Sequence, residues 1–122
     1  MAKKILIVDD EPNIVISLEF LMKKEGFAVA VANDGDEALA LVASFDPDLL
    51  LLDVMMPKKS GFEVCEALRA DPERADLKIV MLTAKGRDTE MAKGLAIGAD
   101  AYVTKPFSTK ELVDKVKEML AV

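Results

Sequence analysis

The chain has 122 residues, a length typical of one globular domain, and 52% of them are hydrophobic while 31% are charged. This balance predicts a folded domain and excludes a disordered chain. The formal net charge of −6 argues against direct binding of DNA or RNA, because no excess of Lys and Arg is present to neutralise phosphates. Histidine is absent, which excludes histidine as a general base or metal ligand.

Few signals bear on location. The first residues, Met1–Lys4, lead straight into a strand-like segment without the pattern of a signal peptide. No apolar run approaches the roughly 18 residues that span a bilayer. The single cysteine, Cys65, excludes an internal disulfide and fits a reducing compartment. We therefore expect a cytoplasmic protein in which Cys65 is a packing residue.

Strand-like and helical patterns alternate along the chain. Continuous apolar runs predict strands, and apolar residues three or four positions apart predict helices. The predicted strands are Lys4–Val8, Phe27–Ala32, Asp48–Leu52, Lys78–Leu82 and Ala101–Val103. The predicted helices are Asn13–Glu25, Asp34–Ser44, Gly61–Ala70, Asp88–Ile97 and Ser108–Leu120, the last opening with a capping box between Ser108 and Glu111.

This order of elements predicts the fold class. Strands that are apolar throughout are buried on both faces, and helical crossovers join strands that run parallel. The sequence therefore predicts an α/β fold, a doubly wound parallel sheet of five strands with five helices. No linker or repeat divides the chain, so residues 1–122 are expected to form a single domain.

Polar groups follow the predicted inner strands, at the edge where open parallel sheets bind their ligands. They are Asp9, Asp10 and Glu11 after the first strand, Asp53 after the third, Thr83 and Ala84 after the fourth, and Thr104, Lys105 and Pro106 after the fifth. A sheet with only a structural role would not need this arrangement.

The three acidic residues suggest a metal site. Asp9 and Asp10 could equally cap the helix that starts near Pro12, and the pair alone leaves both interpretations open. Asp53 on the neighbouring strand favours a metal site. Converging carboxylates repel one another, should raise at least one pKa, and suit a hard divalent cation such as Mg²⁺.

The remaining polar groups suit an anion. Lys105 could pair with a carboxylate or a phosphoryl oxygen, and a cis bond to Pro106, which sequence leaves open, would turn it inward. Thr83 offers a hydroxyl and Ala84 an accessible N–H, although both also fit an ordinary strand end. Together the set suits phosphoryl transfer to Asp53. The chain has no Gly-rich phosphate loop, so the donor must come from elsewhere.

Four motifs in order resemble the receiver domain of two-component response regulators. They are Ile5–Glu11, Leu52–Pro57 followed by Gly61, Leu82–Ala84, and Gly98–Phe107, and the resemblance covers essentially the whole chain. It implies the flavodoxin-like strand order 2-1-3-4-5, as in chemotaxis-type receivers. It also implies a phosphoacceptor in signal transduction or a phosphorelay rather than a turnover enzyme.

The resemblance assigns roles at the site. Asp53 is the phosphoacceptor for a sensor histidine kinase or histidine phosphotransfer protein, through an acyl phosphate. Asp10, Asp53 and the backbone carbonyl of Met55 bind Mg²⁺, with Asp9 acting directly or through water. Lys105 contacts the phosphoryl group, and the Ala84 N–H takes another of its oxygens.

The same resemblance implies a switch. Thr83 moves to the phosphoryl group and Tyr102 rotates inward, which remodels the face of helix four, strand five and helix five. That face contacts an output domain or partner protein. Some relatives dimerise there through an acid–base network; Asp100 and Glu111 match it, but Asp114 and Lys115 do not, so a monomer and a phosphorylation-dependent dimer both stay open.

Two variable positions flank the site, Met55 and Lys85. An apolar side chain and a long basic one there could shield an acyl phosphate from water, and we hypothesise a long-lived phosphoryl state.

Three other functions would use parts of the same residue pattern. A haloacid-dehalogenase-type phosphatase would need a second Asp two residues after its nucleophile, and Met55 stands there. A flavin carrier would need stacking aromatics, which make up only 5% of the chain. A degenerate receiver that interacts without phosphate is the main alternative, and the complete set of acidic and basic residues argues against it.

Overall fold

The structure is a computed structural model that describes residues 2–56, 58–84 and 88–122. Its strands are β1 (Lys4–Val8), β2 (Ala28–Ala32), β3 (Leu49–Asp53), β4 (Lys78–Ala84) and β5 (Ala101–Lys105). Its helices are α1 (Pro12–Lys24), α2 (Gly35–Phe45), α3 (Gly61–Arg69), α4 (Asp88–Ile97) and α5 (Thr109–Leu120), with a 3-10 turn at Pro72–Arg74. Pro57 of the second motif and Lys85 lie outside the described residues.

The five strands form one parallel sheet in the order β2-β1-β3-β4-β5, which confirms the predicted doubly wound architecture. Side chains alternate between its two faces. On β3, Leu50 and Leu52 enter a core that includes residues of α2 and α3, whereas Leu49 and Leu51 enter a second core with residues of α1 and α5. Cys65 is buried in the first core, as predicted for a packing residue.

Three strands extend further than the sequence pattern predicted. The predictions ended β3, β4 and β5 at the last apolar residue, but the parallel pairing continues. Asp53 lies opposite Leu82, Thr83 opposite Thr104, and Ala84 opposite Lys105. The polar groups that follow these three strands in the prediction are therefore on the strands themselves, and backbone pairing holds them in place.

Helix starts are set by short polar side chains. Asp34 accepts the Glu37 N–H at 2.8 Å before α2, and Ser108 accepts the Glu111 N–H at 3.0 Å before α5. Of the two bonds of the capping box predicted at Ser108, the structure has the one that the Ser108 hydroxyl accepts. The reciprocal box forms at α3, between Ser60 and Glu63, which the sequence reading overlooked. Within the described ranges, no helix has the length and apolarity to cross a membrane.

Candidate functional site

Three carboxylates meet at the carboxyl edge of the sheet, as predicted. Asp9 follows β1 and is fully buried, Asp53 ends β3 and is 6% exposed, and Asp10 is exposed. Each offers an oxygen within 4.8 Å of the others. Hard oxygen ligands at this spacing, one of them open to solvent, fit a divalent cation of the Mg²⁺ or Ca²⁺ type. The acidic edge could therefore hold a metal ion.

Asp9 has a fixed place in this cluster. Its Oδ1 accepts the Glu11 N–H at 2.9 Å, and its Oδ2 accepts the Lys105 ammonium at 2.8 Å. The alternative interpretation, that Asp9 or Asp10 caps α1, is wrong. The N-cap is Glu11, whose side chain makes no capping bond, and Pro12 needs none because it has no N–H.

Lys105 brings the positive charge to the cluster. It reaches from the edge strand β5 so that its Nζ lies 2.8 Å from Asp9, 3.4 Å from Asp53 and 3.7 Å from Glu11. The peptide bond to Pro106 is cis, the option that the sequence left open. Burial alone would lower the pKa of Lys105, but the hydrogen bond to Asp9 and the surrounding carboxylates outweigh burial and raise it. Lys105 is thus a fixed cation at this edge.

Asp53 has the environment of a reactive carboxylate. Burial raises its pKa to about 6, the Asp9 carboxylate adds to the rise, and Lys105 opposes it. Among the described residues Asp53 makes two polar contacts, with the Met55 N–H and with the Lys105 ammonium, each at 3.4 Å and both on Oδ1. At neutral pH the group is mostly ionised yet more basic than an ordinary Asp. A basic carboxylate is the better nucleophile.

A cleft of about 220 Å³ opens beside Asp53. Its lining is Glu11, Asp53, Val54, Met55, Leu82, Thr83, Ala84 and Lys105. Thr83 is 2% exposed, and its Oγ1 has no hydrogen-bond partner in the part of the chain that the structure describes. A buried hydroxyl without a partner lowers the stability of the fold, so this hydroxyl is available to donate a hydrogen bond to a group that enters the cleft.

Tyr102 lies on the outer side of this site. It is 40% exposed, two residues along β5 from Thr104, which is the pairing partner of Thr83. It borders a groove of about 610 Å³ between α4 and α5, lined by Leu95, Asp100, Ala101, Tyr102, Val103, Thr104, Glu111 and Lys115. The cleft and the groove are therefore neighbours across the β4–β5 pair.

Of the two positions that flank the site, the structure describes Met55. Met55 is 66% exposed at the mouth of the cleft, where it could shield a group on Asp53. Lys85 lies outside the described residues, so its half of the shielding hypothesis stays a prediction.

Asp100, matched above to a dimerisation network, accepts bonds at Oδ2 from Arg69 at 2.7 Å and from the Ile79 N–H at 2.8 Å. Its carboxylate is thus engaged within the chain.

Sequence reasoning missed two contributors. Glu11 was noted only for its place after β1, yet it contacts Lys105 and lines the cleft. Gly61 was noted within a motif, but the need for glycine at this position is steric. A Cβ there would collide with the Asp53 carbonyl oxygen and lie 2.9 Å from Val54 Cα. The spacing from Asp53 was the one available signal for this close return of the chain.

Comparison with known proteins now decides the family. The family model of the response regulator receiver domain matches residues 5–117. The chain belongs to this family. Receivers are signalling domains of two-component systems, and phosphorylation on an Asp is typical of them.

Solved structures agree with this assignment. A Chloroflexus aurantiacus J-10-fl protein assigned as a response regulator is 37% identical, with a TM-score of 0.96 and 100% of both chains covered. The chemotaxis protein CheY4 of Vibrio cholerae is 31% identical, with a TM-score of 0.91 over 98% of this receiver and 99% of that chain. NtrX from Brucella abortus is 27% identical, with a TM-score of 0.92; 99% of this receiver matches 27% of that longer chain.

Proposed function

We propose that this receiver accepts a phosphoryl group on Asp53, from the phosphohistidine of a sensor histidine kinase or a histidine phosphotransfer protein, in a Mg²⁺-dependent reaction. The observation that carries the proposal is the state of Asp53. It is a buried carboxylate of raised pKa that sits between an acidic pair and Lys105 and lines an open cleft. Such a group suits covalent capture of a phosphoryl group.

The residues of the cleft have complementary roles. A carboxylate oxygen of Asp53 attacks phosphorus, the histidine nitrogen of the donor leaves with the bonding electrons, and an acyl phosphate results. Lys105, within 3.4 Å of Asp53, is close enough to neutralise a phosphoryl oxygen. The Thr83 hydroxyl and the Ala84 N–H are the donors for the other oxygens.

The metal site of this proposal uses the same acidic edge. Asp9, Asp10 and Asp53, with the backbone carbonyl of Met55, would hold the ion. Asp10 is exposed, whereas both oxygens of Asp9 already accept bonds, so Asp10 is the freer ligand and Asp9 suits contact through water. When bound, Mg²⁺ offsets the negative charge that gathers on the carboxylates and the transferring oxygens.

Transfer to Asp53 would alter the outer face. A phosphoryl group brings about two negative charges and three acceptor oxygens into the cleft. It would draw in the Thr83 hydroxyl, which has no hydrogen-bond partner among the described residues, and the space that Thr83 leaves would admit Tyr102, which is 40% exposed. The groove between α4 and α5 would change with it, and we propose that an output domain or partner reads this face.

This role is that of an acceptor, not of a turnover enzyme. The donor is a partner protein, and the product stays attached to Asp53 until hydrolysis restores the carboxylate. We place this signalling in the cytoplasm, where Cys65 remains a thiol.

Intact mass after incubation with acetyl phosphate tests the proposal. The wild type should gain one phosphoryl group with Mg²⁺ and none with EDTA. Asp53→Asn should gain none in either condition. Asp76→Asn, which removes an exposed acid at the opposite edge of the sheet, should behave as the wild type. A folded wild type that gains no phosphoryl group from acetyl phosphate or from a phosphorylated histidine phosphotransfer domain would contradict the proposal.

A further inference from the structure

The loop between β3 and α3 lies against the start of α2 at Lys58 and Lys59. The contact is through Gly35, the first residue of α2. A Cβ on Gly35 would collide with the Cβ of Lys59 and would lie 2.7 Å from the Lys59 carbonyl oxygen and 3.1 Å from its Cα. Two of these three atoms are backbone, so a side chain at position 35 could not be accommodated without moving the loop. The absence of a side chain at Gly35 therefore sets how closely the loop approaches α2.

Two ion pairs mark the same contact. Lys58 Nζ lies 3.5 Å from Asp34 Oδ2, and Lys59 Nζ lies 3.9 Å from Asp36 Oδ1. Both pairs are largely exposed and contribute little energy on their own. Lys58 also has a φ of 66°, a left-handed conformation that costs a residue with a side chain about 1 kcal/mol. Such a conformation persists only where its surroundings hold it.

The opposite side of the loop is fixed to the site itself. The Gly61 N–H donates to the Val54 carbonyl at 2.9 Å, which closes the loop onto the end of β3. Within this closed loop, the Met55 N–H donates to Asp53 Oδ1 at 3.4 Å. The backbone of Met55 is therefore positioned by two supports, the return at Gly61 and the contact with α2.

We propose that Gly35 is a positioning residue for the metal site. The segment Asp34–Asp36, named the α2 brace, lets the loop lie close to α2 and so holds the backbone of Met55, whose N–H contacts Asp53, in the position that sets the affinity for Mg²⁺. The inference rests on the proposed function, because it takes the Met55 carbonyl as a ligand of the ion. Gly35 touches neither the ion nor the phosphoryl group and acts only through the loop.

Gly35→Ala tests the brace. Its φ is not in the left-handed region, and Ala is the better helix former, so the helix itself tolerates the change. The expected result is a Mg²⁺ affinity about tenfold weaker, the lower end of the range for groups that orient a ligand from outside the coordination shell. Titration with Mg²⁺ alone, without a phosphodonor, and followed by amide NMR, measures it. Phosphorylation should fall at low Mg²⁺ and recover at saturating Mg²⁺.

Gly26→Ala is the control for general destabilisation. Gly26 has a φ of +92° with no atom within 4 Å of an added Cβ, and it lies at the end of α1, outside the loop and the brace. Ala there should lower the stability of the fold and leave Mg²⁺ affinity at the wild-type value. An equal loss of affinity in both variants, or no loss in Gly35→Ala, would overturn the brace.

A second pair keeps the inference testable if Gly35→Ala does not fold. Lys59→Gly removes the Cβ that faces Gly35, and Lys3→Gly makes the same change of charge and flexibility at an exposed position outside the loop. The brace predicts weaker Mg²⁺ binding in Lys59→Gly than in Lys3→Gly, with a loss that approaches about tenfold. Equal affinities would overturn it.

The outcomes also separate the brace from the proposed function. A wild type that binds Mg²⁺, with the loss in Gly35→Ala, but gains no phosphoryl group would overturn the phosphoacceptor role and leave the brace intact. A wild type that shows no response to Mg²⁺ would overturn the metal site and the brace together.

Discussion

At the scale of single residues, the site keeps a carboxylate under electrostatic strain. Asp53 is almost fully buried beside Asp9, and the Lys105 ammonium is within 4 Å of both. Burial and the neighbouring charge move the pKa of Asp53 from an ordinary value of 3.8 to about 6. The fold therefore loses stability by holding this group ionised, and a metal ion or a covalent ligand can relieve that loss.

Asp53→Asn should accordingly stabilise the metal-free protein at neutral pH. Below about pH 3 Asp53 is protonated in both the folded and the unfolded state. Between about pH 4 and pH 6 the unfolded state is ionised while the folded state still holds the proton, so the wild type loses stability across this window as the pH rises. The shift corresponds to about 3 kcal/mol. Urea unfolding in EDTA should give Asp53→Asn a larger free energy of unfolding than the wild type at pH 7.5, and a much smaller difference between the two proteins at pH 4.5.

Added Mg²⁺ provides the control for this prediction. It should stabilise the wild type more than the Asn variant, because ion binding to the folded state draws on the Asp53 carboxylate. The gap between the two should narrow at pH 7.5. A gain from Asn that is the same at both pH values would show that packing, not ionisation, is responsible.

The sequence predicts most residues of this site, but it does not predict how far each of them is buried. The strand pattern sufficed to bring Asp9, Asp10 and Asp53 to one edge. It could not tell that Asp9 is buried while Asp10 is exposed, because this depends on the path of the turn into α1. It also gave no sign of Gly35, since the residue that requires it, Lys59, is distant in the chain and contacts it only in the fold.

At the scale of elements, Arg69 ties the C-terminus of α3 to the segment between α4 and β5. Its Nε donates to the Gly98 carbonyl at 2.8 Å, its Nη1 to the Arg74 carbonyl at 3.2 Å, and its Nη2 pairs with Asp100 at 2.7 Å. Asp100 in turn accepts the N–H of Ile79 on β4. One guanidinium therefore fixes where β5 enters the sheet.

Arg69→Lys should weaken this tie. A single ammonium cannot reproduce three directed bonds, so we expect a loss of about 1–2 kcal/mol in the free energy of unfolding. Hydrogen exchange should quicken at the Asp100 amide, which donates to the Ile79 carbonyl at 2.9 Å. Arg74→Lys is the matched control, because its partner Asp46 is 75% exposed and the pair contributes little. Equal effects of the two substitutions would contradict this role.

The starts of elements were easier to predict than the ends of strands. The predicted starts of β1, β4, β5, α3 and α4 coincide with those of the structure. The ends of β3, β4 and β5 were missed because the side chains turn polar where the backbone pairing continues. A continuous run of apolar residues indicates that side chains are buried, and it carries no direct signal of where the hydrogen-bonded pairing of strands ends.

At the scale of the whole molecule, two cavities share one pair of strands. The cleft at Asp53 reaches the end of β4 through Thr83, and the groove between α4 and α5 follows β5 through Tyr102. The strand order that makes β4 and β5 neighbours came from the family resemblance, since composition and periodicity alone do not determine it. A change at Thr83 can therefore reach Tyr102 through adjacent strands, without a long chain of contacts.

Thr83→Val should separate phosphorylation from this response. Valine keeps the shape of threonine but lacks the buried hydroxyl, for which the described part of the chain offers no hydrogen-bond partner, so the unphosphorylated protein should gain about 1 kcal/mol of stability. Asp53 should still accept a phosphoryl group, because its nucleophilic oxygen and Lys105 are unchanged. Without the hydroxyl, however, the phosphoryl group has nothing with which to draw position 83 toward it, and Tyr102 should keep its present exposure.

Tyr102 itself reports the result, as it is the only tyrosine in a chain without tryptophan. In the wild type, phosphorylation should reduce the quenching of tyrosine fluorescence by iodide, because the ring leaves its 40% exposed position. In Thr83→Val, at equal phosphorylation measured by intact mass, quenching should not change. Thr109→Val, an exposed threonine at the start of α5, should respond as the wild type. If the Thr83→Val variant shows the full wild-type change in quenching, the coupling does not pass through the Thr83 hydroxyl, and the phosphoryl charge must act on β5 directly.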